Sequence, residues 1–153
     1  MKAVGASLPR YEGVAHVTAR SRFVDDVRVP GMLWAKALRS PVSSARILRL
    51  DTTRAEAMPG VAAVITHADI PQNVVGHQEV WGIPPDEPLL AVDEVRFVGQ
   101  VIAVVAAETE AQALAAVQTI DVEFEERMPF LDMRKAWDAD QPHVAPDDNF
   151  LLY

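Results

Sequence analysis

Histidines, paired carboxylates, clustered serines and glycines are the residues with which this chain could do chemistry, and their spacing narrows what that chemistry can be. The four histidines stand at 16, 67, 77 and 143. No HxH, HxxxH or HExxH spacing puts two imidazoles on one side of an element, so they read as scattered loop and surface residues, not metal ligands. Asp25-Asp26, Glu125-Glu126 and Asp147-Asp148 are adjacent acidic pairs. Neighbours on a strand point to opposite faces and cannot share a proton as a catalytic dyad must, which leaves them as solvated carboxylates. Ser40, Ser43 and Ser44 share one loop but no GxSxG elbow surrounds them, and their hydroxyls are expected to hold turns. The glycines at 5, 13, 31, 60, 76, 82 and 99 form neither GxGxxG nor a Walker A loop that would cradle phosphates. Gly99 is expected at a bend, where the backbone turns sharply or approaches another closely. Gln100 enters the strand that follows as either a satisfied core amide or a polar group at the strand's mouth. No catalytic, cofactor-binding or metal-ligating residue emerges from these patterns.

The elements that would position such residues are clearer than the residues themselves. Val101 to Ala107 is a continuous apolar run rich in β-branched residues, expected as a strand buried on both faces. Thr109 with Gln112 forms a capping box that opens an alanine-rich helix to about Val117, the Thr109 hydroxyl accepting from the Gln112 amide. Thr119 to Glu125 alternates, with Ile120, Val122 and Phe124 against Asp121, Glu123 and Glu125, as a half-exposed strand does. Upstream, Met1 to Ala19 reads as an irregular lead-in and Ser21 to Val27 as a short strand. Pro30-Gly31 is a type II turn signal. Leu33 to Arg39 and Ala45 to Leu50 are expected as strands around the serine loop. Thr53 with Glu56 suggests a second capping box, on a short helix that Pro59-Gly60 ends, and Val61 to Thr66 a short buried strand. His67 to Pro88, with its prolines and glycines, reads as irregular. Met128-Pro129 breaks the chain again, and Asp132 is placed to cap a short helix through about Trp137.

A chain of 153 residues is expected to form one domain with a mobile end, and can bury roughly 68–70% of its unfolded surface. With 14 basic against 22 acidic residues the net charge is −8, which repels nucleic acid and anionic membranes. The lack of cysteine excludes disulfides, a thiolate nucleophile and a cysteine-ligated iron–sulfur cluster. No signal-length apolar region opens the chain and no stretch reaches the ~20 apolar residues of a membrane helix, so a cytoplasmic location is expected.

Three stretches together, FVDDVRVPGMLWAKALRSPVSSARILRLDT, MPGVAAVITHADIP and LLAVDEVRFVGQVIAVVAAET with the helix and VEFEERMPF after it, resemble one family. They are similar to the N-terminal α/β-hammerhead domain of the large, molybdenum-binding subunit of the xanthine dehydrogenase and aldehyde oxidase family. The resemblance covers about Val17 to Trp137. Val17-Thr18-Ala19, Trp34 and Ser43-Ser44 depart from common family residues, which bears on subtype and not on the domain.

The resemblance implies an α+β fold of hammerhead type, a mixed β-sheet with short capped helices packed on it. It divides the chain into a lead-in at 1–19, the hammerhead at 20–138 and a tail at 139–153 leading to a molybdenum-binding domain. It implies a non-catalytic structural or assembly role in an enzyme that oxidises an aldehyde or heteroaromatic substrate. The parent's cofactors would be molybdopterin, with iron–sulfur and FAD centres on other domains or subunits, and none in this chain. Its partners would be a molybdenum-binding catalytic domain or subunit, an iron–sulfur subunit and a flavin subunit. The alternatives are a free-standing split-gene binding or assembly subunit that docks on a separately encoded catalytic chain, and a small hydrolase using the Ser40 to Ser44 loop. The apolar end, Phe150, Leu151, Leu152 and Tyr153, is the expected interface, since leaving such side chains in water is unfavourable.

Overall fold

The computed structural model describes residues 4–75, 87–129, 131–132 and 134–135. They fall into two compact units, the first running to Met32 and the second beginning at Leu33.

The first unit is made of turns. Where an irregular lead-in was expected, one helical turn forms, α1 (Gly13–Val17). Thr18 closes it by donating its hydroxyl to the Val14 carbonyl at 2.7 Å, and Ala19 leaves with a φ of 56°. The strand expected over Ser21 to Val27 is instead a 3₁₀ turn at Val24–Asp26. Its cause is local: the Asp26 carboxylate accepts from the Phe23 amide at 2.9 Å, a side chain to backbone bond that competes with extended structure. Pro30-Gly31 makes the expected turn, with Gly31 at φ +77° and the Met32 amide donating to the Val29 carbonyl.

The second unit begins with β1 (Trp34–Arg39) and β2 (Ala45–Asp51), then α2 (Thr53–Glu56) and β3 (Val61–Ile65). A 3₁₀ turn at His67–Asp69 leads to β4 (Val74–Val75), and after it come β5 (Glu87–Pro88), β6 (Glu94–Val95), β7 (Val101–Ala107), α3 (Glu110–Val117) and β8 (Asp121–Glu126). The α+β class expected from the sequence is present. The strands sort into a sheet of order β1-β7-β3, a sheet of order β6-β2-β8 and a ribbon of β4 with β5, and each of these pairings is antiparallel. The strand-helix-strand unit β7-α3-β8 therefore starts in one sheet and ends in the other.

Strand β7 is the centre of the first sheet and, as expected, its faces are both covered. Ala103 and Val105 join Ala55, Ala116 and Ile120 in one core cluster, beneath the helices. Ile102 joins Ala45, Ala91 and Val95 in a second, against the other sheet. Leu38 and Leu50 pack against both clusters and tie them together. Irregularities of register occur opposite β7 on both sides, between Leu38 and Arg39 and between Val61 and Ala63. Such bulges bend and twist a strand locally. Strand β3 differs from the fully buried strand expected at Val61 to Thr66: it is an edge strand, and Ala62 and Ala63 are exposed.

The caps show why the helices begin where they do. Thr109 accepts from the Gln112 amide at 3.2 Å, as expected, and its own hydroxyl donates to Gln112 Oε1 at 2.8 Å. The second helix corrects the expected Thr53 cap. Its N-cap is Thr52, whose hydroxyl bonds the Glu56 carboxylate, while Asp51 accepts from the Thr53 amide at 3.0 Å. With Asp51 in place, the aspartate satisfies the donor that the threonine box would have served. Gly60 ends this turn at φ +82° directly under Gln112, whose carboxamide occupies the space a Cβ would need. The Gly60 carbonyl in turn accepts from the Glu108 amide at 2.9 Å. Between them, Gly60 and Gln112 fix the start of α3 against the turn before β3.

Substitution weighs both contacts. Thr109→Ala removes a cap and lowers stability by about 1 kcal/mol, read as a lower denaturant midpoint at unchanged slope. Gly60→Ala costs about 1–2 kcal/mol from the left-handed backbone alone, and more from the displaced Gln112. The same melts measure it, and a midpoint equal to that of the unaltered protein would contradict it.

Candidate functional site

The residues singled out by type end up apart and mostly engaged in backbone contacts. His16 stacks on Phe23, ring centroids 6.0 Å apart. His67 sits in the turn after β3, its Nδ1 buried without a hydrogen-bond partner among the described residues. His77 and His143 lie outside the described residues. Asp25 and Asp26 belong to the 3₁₀ turn, and Glu125 and Glu126 are exposed at the end of β8. Asp147, Asp148 and the expected interface at Phe150, Leu151, Leu152 and Tyr153 are also outside the described residues. So is half of the helix expected from Asp132 through Trp137, although Asp132 does accept from the Arg134 amide at 3.0 Å. No group of three His, Cys, Asp or Glu side chains that could hold a metal comes together among the described residues. Among them, too, no helix is long and apolar enough to cross a membrane.

Ser40 is buried, and its hydroxyl donates to the Val42 carbonyl at 2.7 Å while accepting from the Val42 amide at 3.2 Å. Both partners are backbone atoms of one residue, so the hydroxyl holds the turn and, among the described residues, has no base beside it. The Ser40 backbone does as much: its amide donates to the Gln100 carbonyl and its carbonyl accepts from Gly99, each at 2.8 Å. This lashes the end of β1 to the start of β7. Gly99 has a φ of +91° and open space where a Cβ would stand, so a sharp turn, and not close approach, explains the glycine.

A cleft of about 480 Å³ lies between the β4-β5 ribbon and the β6 to β7 turn, lined by residues that include Asn73, Val92, Arg96 and Gln100. Asn73 clamps Leu90 with both ends of its amide, its Nδ2 donating to the Leu90 carbonyl at 2.7 Å and its Oδ1 accepting from the Leu90 amide at 2.9 Å. Gln100 is 6% exposed, and its Oε1 accepts from the Arg96 amide at 2.7 Å. Of the two readings open for it, the satisfied core amide is correct for that oxygen. Glu94 bridges Arg96 at 2.9 Å and Arg127 at 3.0 Å, so these cations are already paired. The cleft thus carries amides and an ion-pair relay, and among the described residues no nucleophile with a base. Sequence reading missed it because its residues come from short strands and loops that are separated along the chain. The available signal was a pair of carboxamides, Asn73 and Gln100, each bordering an apolar run.

Two carboxylates outside the cleft are perturbed by hydrogen bonds. The Thr53 hydroxyl and then its amide hold Asp51 below its ordinary value of 3.8. The Thr66 amide and then its hydroxyl hold Asp69 below the same value. Depressed carboxylates contribute stability above their unfolded value, and that contribution is lost as pH falls through the folded one. Stability should therefore decline on the acid side of 3.8, and an Asp51→Asn, Asp69→Asn double variant should show a shallower decline there in melts taken across pH.

Residues 18–128 match the family described as aldehyde oxidase and xanthine dehydrogenase, a/b hammerhead domain. A probable xanthine dehydrogenase subunit of Bacillus subtilis is 40% identical over 142 residues, which are 93% of this chain and 18% of that protein. The nicotinate dehydrogenase large molybdopterin subunit of Eubacterium barkeri is 36% identical over 146 residues, 95% of this chain and 33% of that one. Among solved structures, the aldehyde oxidoreductase of Desulfovibrio gigas superposes with a TM-score of 0.83 at 31% identity, covering 91% of this chain and 16% of that chain. The chain thus spans between about a sixth and a third of the length of the relatives named.

Proposed function

This chain belongs to the aldehyde oxidase and xanthine dehydrogenase a/b hammerhead family, and on that premise we propose that it is a non-catalytic structural and assembly domain of a molybdenum hydroxylase. The parent oxidoreductase acts on an aldehyde or heteroaromatic compound in the cytoplasm. Its molybdopterin is held by a catalytic domain or subunit next to this one, with iron–sulfur and flavin centres on further partners. The observation that carries this reading is the pairing of near-complete coverage of this chain with coverage of only 18% of its relative. The local chemistry agrees with it, since the serine and the amide side chains described above hold backbone, and the arginines beside the cleft are paired with Glu94. We further propose that the chain divides into a lead-in at 1–19, the hammerhead at 20–138 and a tail at 139–153, and that Phe150 to Tyr153 dock on the molybdenum-binding polypeptide.

Purified alone, the chain should carry no stoichiometric molybdenum, iron or flavin by elemental analysis and visible absorption, and should regain association when mixed with the molybdenum-binding polypeptide. A bound metal or flavin band in the isolated chain would overturn the non-catalytic reading. Deleting Asn149 to Tyr153 should weaken that association, measured as mass in solution. Unchanged association would remove the tail as an interface.

A further inference from the structure

The first unit is shaped by hydrogen bonds but has no interior. None of residues 4–32 is buried. Local contacts set its form all the same: Thr18 closes α1, the Asp26 carboxylate holds the 3₁₀ turn, and the rings of His16 and Phe23 stack. What these turns display is apolar, with Leu8, Val17 and Phe23 exposed, Val24 88% exposed and Tyr11 fully so. Single apolar side chains are ordinary on a surface, but a segment that buries none and exposes this many marks a contact with another molecule. At 32 residues and without cysteine, it is also below the size at which a segment sustains a core of its own.

Charge and chain length identify the partner. The unit carries five basic residues, Lys2, Arg10, Arg20, Arg22 and Arg28, against three acidic ones, Glu12, Asp25 and Asp26, a net of +2 in a chain whose total is −8. Arg20 and Arg22 are exposed and form no ion pair among the described residues. The complementary surface is therefore apolar, with carboxylates at its margin. The alignment with the Desulfovibrio gigas enzyme covers 91% of this chain, so the uncovered remainder is shorter than half of this 32-residue unit, and part of the unit has a counterpart there. The aligned stretch is only 16% of that chain, which leaves a long polypeptide to supply the receiving surface. Charge alone would also suit a second copy of this chain, and the recurrence of the unit in a far longer polypeptide favours the latter. Resting on the assembly reading above, we propose that the first unit docks through Tyr11, Val17, Phe23 and Val24 on the molybdenum-binding polypeptide, with Arg20 and Arg22 facing carboxylates of that surface.

The test uses the full chain, tail included, in complex with the molybdenum-binding polypeptide. A photo-crosslinking amino acid at Val24 should join to one peptide of that polypeptide, identified by mass spectrometry. The Tyr11→Ser, Val24→Ser chain should bind about tenfold more weakly, since burial of one large apolar side chain is worth that much. Its own denaturant midpoint should equal that of the unaltered chain, because both side chains are already in water. The Arg20→Glu, Arg22→Glu chain should also bind more weakly, with the larger loss at low salt. Either double variant binding as tightly as the unaltered chain, or a complex whose crosslink is absent or runs to a second copy, overturns this assignment and leaves the assembly reading standing. Failure of the unaltered chain to associate at all overturns both.

Discussion

Strand β7 can be covered on both faces only because its side chains are small where they meet the helices. Ala103, Val105 and Ala107 are fully buried, and Ala113 and Ala116 of α3 are fully buried too. Small residues on both elements let a helix lie close to a sheet, and each added methylene would have to be accommodated in a close-packed interior. On the opposite face a single large side chain, Ile102, reaches the second sheet. The two cores are therefore unlike: one is a tight alanine contact beneath helices, the other a branched aliphatic contact between sheets. Leu38 and Leu50 are shared, so loosening either core is felt in the other.

Around this strand the polar side chains act as fasteners for irregular backbone. Ser40 closes a turn, Asn73 grips Leu90, and Gln100 grips Arg96. Each supplies to a loop the hydrogen bonds that a ladder would have supplied to a strand, which is what buried loop backbone requires. The ribbon of β4 and β5 is only two residues long on each side and depends on such side-chain help, since isolated two-stranded ribbons are marginal in water.

What could be read from the sequence was what is local. The apolar run at Val101 to Ala107, the Thr109 cap and the alternation ending at Glu125 each announce an element from its own residues, and each is present. The Asp26 and Asp51 side chains defeated equally local readings. Each aspartate captures a nearby amide, turning a supposed strand into a 3₁₀ turn and displacing a supposed cap by one residue. The division into two sheets could not be read, because β2 and β8 alternate in the same way that partners of β7 might. Pairing is decided by distant contacts. The cleft was invisible for the same reason, being assembled from short, separate segments that are each ordinary alone.

The outer strand of the second sheet bears on how copies of this protein behave when crowded. β8 is an edge, and it presents Asp121, Glu123, Glu125 and Glu126, with Arg49 from the neighbouring strand pairing to Asp121 and Glu123. Two such edges approaching each other would oppose carboxylate to carboxylate, in a chain that already carries a charge of −8. Fibrillar stacking through β8 is thereby discouraged during refolding at high concentration. High salt, which screens exposed charge, is the condition that would relax this protection first.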